Sequence, residues 1–159
     1  MPQITLDEIR VRIEVKYEPV RIPLPSGGTA ELTLPLRLDK DRRAALRNLM
    51  RSNATATEVA QAARKARADE NAARVAAGEV VDEAAEEDAD TAADEQQTRE
   101  YLAGILRIAC TSDTAAEELI GQIYAGPNGA GADGLLVLVE LVRQYLESTD
   151  AGEVSPSAS

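Results

Sequence analysis

The sequence contains no histidine, phenylalanine or tryptophan, and only one cysteine and four tyrosines in 159 residues. Without histidine it lacks the commonest general base, metal ligand and nucleophile activator, so Ser-His-Asp and Cys-His catalysis are excluded. A single cysteine, Cys110, excludes an intrachain disulfide and a cysteine-based zinc site. Set among Ile105, Leu106, Ile108 and Ala109, it reads as a small buried hydrophobe rather than a reactive thiol. An aromatic content of 3% leaves no aromatic cage and no base-stacking platform. Any core must therefore be built from Leu, Ile, Val and Ala. No apolar run approaches the ~20 residues of a membrane span. The opening MPQITLDEIR has neither the basic nor the apolar region of a signal peptide. A reducing cytoplasm is the expected setting.

Positive charge is also scarce. Lys and Arg number 17 against 28 Asp and Glu, for a formal net charge of −11. That balance argues against nucleic acid and anionic membranes as partners, since both need a basic footprint. The glycine motifs add no chemistry. Gly27-Gly28 opens neither a GxGxxG nor a P-loop pattern, and Gly126–Gly131 lacks the Lys and Ser/Thr of a Walker loop. The acidic run after Gly78 lacks the glycine-punctuated spacing of a calcium loop. No catalytic, cofactor-binding or metal site is expected, and the composition points to a non-catalytic protein that works by binding another protein.

Composition divides the chain into four parts. Residues 1–52 are expected to form a helix/β-hairpin/helix module. Val20, Ile22 and Leu24 alternate, Pro25-Ser26-Gly27-Gly28 turns the chain, and Ala30, Leu32, Leu34 and Leu36 alternate again, which reads as a hairpin. Asp39 then caps a helix whose Ala45, Leu46, Leu49 and Met50 can cover it. Residues 53–97 read as an Ala-rich acidic linker: a solvated helix near 54–77, then a flexible tract that buries too little to offset its ordering entropy. Residues 98–149 read as three helices. Tyr101–Ala109 supplies the first apolar face, Thr114 and Glu117 form a capping box for the second, and Asp133 caps the third. Residues 150–159 carry only turn and disorder signals. The expected fold class is mainly α with a small N-terminal β-hairpin (α+β): two small modules joined by an Ala/Glu-rich linker, the second a C-terminal helical bundle.

The segment before the hairpin is ambiguous. Thr5 and Glu8 make a capping box, and Leu6, Ile9, Ile13 and Tyr17 fall on one helical face. Yet Ile9 to Tyr17 also alternates strictly, which is the strand period.

Two surfaces are candidates for partner binding. The helix from Leu135 to about Ser148 is apolar over much of its circumference, so Leu135, Leu138, Val142 and Tyr145 could meet a client helix, although the same residues suit a buried core. The second is basic: Arg37, Arg43 and Arg47, with Lys40, Arg42 and Arg51, form one face that suits either solvent and nearby carboxylates or an acidic partner segment.

Three features in order carry a resemblance. A short segment ends in Lys16-Tyr17 and leads into the hairpin Val20–Leu24 and Leu32–Leu34. Leu36-Arg37-Leu38-Asp39-Lys40-Asp41-Arg42-Arg43-Ala44-Ala45-Leu46 follows, and the helical C-terminal region closes on Gly152-Glu153-Val154-Ser155-Pro156-Ser157. This order resembles the tail assembly chaperones of long-tailed bacteriophages infecting actinobacteria, over most of the chain except residues 52–97. Similar proteins have a much shorter connection there, and an Ala-rich helix-like segment in place of Ile9–Ile13. The resemblance tips residues 6–17 towards helix. It implies a protein of the host cytoplasm, absent from the mature virion, that binds the tape-measure protein, keeps its apolar stripes from aggregating and helps recruit the tail-tube protein. It also implies a longer form of the same chain made by programmed frameshift, which a purine run at Gly152-Glu153 would permit. The alternatives from the residues are a minor structural virion protein, such as a head–tail connector, and an acidic regulatory protein binding a basic partner.

Overall fold

A computed structural model describes residues 5–125 and 132–150. The expected glycine break at 126–131 and the tail from Ala151 lie outside the described residues. The chain is mainly helical with an N-terminal antiparallel hairpin, in the order α1 (Leu6–Lys16), β1 (Val20–Pro23), β2 (Thr29–Leu32), a 3-10 turn (Pro35–Arg37), α2 (Lys40–Ala76), α3 (Glu83–Ala109), α4 (Asp113–Tyr124) and α5 (Ala132–Asp150).

Residues 6–16 are helix. The Glu8 amide donates to Thr5 Oγ1 at 3.2 Å and the Thr5 amide donates to the Glu8 carboxylate at 2.8 Å, so the capping box closes in both directions. Asp7 and Glu8 in the first turn and Lys16 in the last also suit the helix dipole. The strand-like alternation does not prevail, because among the described residues no further strand lies beside 9–15 to pair with. β1 pairs with β2 in the register Val20↔Leu32 to Pro23↔Thr29.

The hairpin turns at Gly27, whose φ of +90° requires glycine. Ser26 donates from its amide and hydroxyl to the Glu118 carboxylate at 3.0 and 2.9 Å, which pins the turn to α4. The far edge of β2 is closed by the end of α3: the Thr33 amide donates to the Ala109 carbonyl and the Thr111 amide to the Glu31 carbonyl, around a Leu32↔Cys110 bridge. Cys110 is fully buried there.

The expected division into two modules is not what the structure has. Leu24, Ala30, Leu32, Leu34, Leu38 and Leu46 share one hydrophobic cluster with Leu102, Ile105, Leu106, Leu119, Leu138 and Val142. Each half is too small to bury its own apolar face, so the two close on each other. Tyr145 lies in the same core, and its hydroxyl donates to the Thr33 carbonyl at 2.8 Å.

Residues 53–97 are likewise not a partly disordered linker. They form the antiparallel arm made by α2 and α3, turning at Gly78 with φ +87°. The contacts across it are polar. Asn53 and Thr57 meet Gln97, Arg64 meets Asp90 and Asp94, Arg67 meets Glu86 and Asp90, and Asn71 donates to Glu86. Glu86, Asp90 and Asp94 recur every four residues and so share the face opposite the arginines. Composition reports an acidic tract; it does not report that the acids and arginines stack. At the root of the arm, Gly104 admits Leu49: a Cβ there would lie 2.9 Å from the Leu49 side chain.

Two caps differ from expectation. Ser112, not Thr114, caps α4 by accepting the Ala115 amide at 3.3 Å. α5 starts at Ala132, so Asp133 falls inside its first turn. No described helix is long and apolar enough to cross a membrane.

Candidate partner-binding surface

α5 is apolar over much of its circumference because it serves two surfaces, and Glu140, Arg143 and Glu147 pair on its polar side. Leu138, Val142 and Tyr145, expected to meet a client, point into the core and are at most 2% exposed. Leu135 is half-buried against the same core. The four residues therefore do not form a free surface: their i, i+3, i+7, i+10 spacing is the seam that packs α5 on α3 and α4. Burial pushes the Tyr145 phenol well above its ordinary value, as expected for a hydroxyl held neutral in an apolar setting.

The available apolar surface lies one face round the helix. Val137 and Leu141, four residues apart, form one wall of a groove of about 480 Å³. Leu119 and Ile123 of α4 form a second wall, Ile22 and Pro23 of β1 a third, and among the described residues Gln122 is the one polar residue of the lining. Val137 is 54% exposed; Leu136 and Val139, also exposed, point to other sides of the helix. Among the described residues no charged side chain lines this groove, although the chain carries a formal charge of −11. A lining of this kind takes apolar side chains.

Sequence reasoning missed Ile22, Pro23, Leu119 and Ile123, because only the tertiary assembly brings β1, α4 and α5 together. The signal that was present is α5 itself. A helix apolar beyond the width of one stripe must either be buried all round or present a second apolar face.

Arg37, Arg43 and Arg47 stay outside the groove. Arg43 donates to the Leu38 carbonyl at 2.8 Å and to the Leu36 carbonyl at 3.4 Å, holding the turn that precedes α2. Arg42 donates to the Cys110 carbonyl at 3.0 Å and so ties α2 to the end of α3. Arg37 and Arg47 are exposed, and among the described residues neither has an ion-pair partner. The acidic tract pairs with Arg64 and Arg67 instead.

α1 is the other exposed apolar feature. None of its eleven residues is buried, yet it carries Leu6, Ile9, Val11, Ile13 and Val15.

No protein-family model, curated protein or solved structure matches this chain.

Proposed function

We propose that this chain is a non-catalytic tail assembly chaperone of a long-tailed bacteriophage. It binds apolar stripes of the helical tape-measure protein in the host cytoplasm, keeps that client soluble, helps recruit tail-tube protein, and leaves before the virion matures. The observation that carries the reading is the apolar groove between β1, α4 and α5. An apolar client helix can lay side chains of its i, i+3, i+4 stripe there. The surrounding negative charge keeps such a complex soluble and disfavours nonspecific association with nucleic acid. The resemblance of the Leu36–Leu46 segment and of the closing Gly152–Ser157 supplies the identity of the client.

Co-expression with the tape-measure protein of the same phage tests this reading. The client is expected to be insoluble alone, and soluble and co-purifying with this chain. A Val137→Asp variant, altered at an exposed groove position, is expected to fold normally and to lose most of that effect. A client whose solubility is indifferent to the chain, in its short and frameshifted forms alike, overturns the proposal.

A further inference from the structure

An eleven-residue helix is marginal in water even with good helix formers, and α1 is built mostly of Ile, Val and charged residues. Its capping box orders the first turn but buries nothing. Leu6, Ile9 and Ile13, at i, i+3 and i+7, form one apolar stripe; Val11 and Val15 lie on the opposite side. Among the described residues the same molecule thus holds an exposed apolar stripe and an open apolar groove.

We propose that two copies of the chain exchange these helices, the Leu6–Ile9–Ile13 stripe of each lying in the groove of the other. The geometry favours exchange over folding back. Only Tyr17, Glu18 and Pro19 separate α1 from β1. Tyr17 is already packed against the core, and proline at 19 fixes φ. Ile22 and Pro23 of the adjoining strand are themselves a wall of the groove. For α1 to enter its own groove, the chain would have to reverse within three residues and cross β1. A second copy meets no such constraint, and the reciprocal contact closes with two-fold symmetry. Charge allows it: α1 balances Asp7, Glu8 and Glu14 against Arg10, Arg12 and Lys16, so it adds nothing to the repulsion between acidic chains. The exchange covers the groove until a client displaces the arm. The dimer itself does not depend on the client reading, and its test uses no client.

Sedimentation of the full chain decides the matter. Wild type is expected to be a dimer that dissociates on dilution. Ile9→Asp, in the arm, and Val137→Asp, in the groove, are each expected to be monomers that keep wild-type helicity and a cooperative thermal transition, while Val11→Asp stays dimeric. An equimolar mixture of Ile9→Asp and Val137→Asp is expected to form a heterodimer, because one intact arm still meets one intact groove. A monomeric wild type, or a dimer indifferent to Ile9→Asp and Val137→Asp, overturns the proposal. So does a mixture of the two variants that stays monomeric while each alone does.

Discussion

Tyr145 joins α5 to the strand side of the core through a single hydroxyl. Its bond to the Thr33 carbonyl lies among Leu and Val side chains, where an acceptor left without its donor is costly. Tyr145→Phe keeps the ring and removes the bond, and urea unfolding is expected to show a loss of about 1 kcal/mol. The pH dependence follows from the same burial. The folded phenol holds its proton above the ordinary tyrosine value of about 10, so the unfolded chain releases protons first as pH rises. Stability contributed by this group is complete below about pH 10 and is lost above it. Tyr101 and Tyr124, raised by burial as well, act with the same sign. Tyr145→Phe is therefore expected to flatten the alkaline fall in stability without abolishing it. An unchanged alkaline profile would mean that Tyr145 is as accessible in the folded state as in the unfolded one.

At the scale of elements, the arm of α2 and α3 is held differently from the core. Its rungs are ion pairs and amides on Ala-rich helices, each worth at most about 1 kcal/mol where solvent reaches it. Removing Arg67 releases Glu86 and Asp90 together. Arg67→Ala is expected to speed amide exchange in residues 60–95 roughly fivefold, as a change of about 1 kcal/mol does, and to leave the core amides unchanged. Asp94 moves with pH in the sense opposite to Tyr145. Its hydrogen bond to Arg64 holds the carboxyl below its ordinary value, so the arm's stability is present above that value and is lost as pH falls through the carboxylate range. Helicity of the arm should drop in acid before the core unfolds. The hairpin, its Pro/Gly turn and the Asp39 cap were legible in the sequence because each is a local signal. The arm was not, because its stability comes from pairing between residues about 15 to 44 apart, such as Asn71 with Glu86 and Asn53 with Gln97. α1 sat between two local signals, and the capping box prevailed where no strand was available to reward alternation. For the groove, sequence located α5 but not the face it leaves free, since that depends on which side the hairpin and α4 cover.

The described residues form one core with an arm. Leu32 and Leu34 of the hairpin are buried against the end of α3, and Cys110 bridges to Leu32, so neither half has a complete core without the other. Fragments 1–52 and 98–150 are each expected to be unfolded alone. The arm, by contrast, is dispensable to the core. Asn53 and Gln97 face each other at 3.1 Å, so a short turn can join α2 to α3 at that level. A chain with residues 54–96 replaced by such a turn is expected to keep a cooperative thermal transition, read by circular dichroism. Loss of that transition would mean that the arm contributes to the core beyond its own rungs.

The central claim is that the groove between β1, α4 and α5 receives the client. A photo-crosslinking residue placed at Val137 during phage tail assembly tests it most directly, with one at exposed Asp88 on the arm as the control. The account predicts a crosslink to the tape-measure protein from position 137 and little from position 88. Crosslinks to the client from position 88 alone, or none from either position while tails assemble normally, would contradict it.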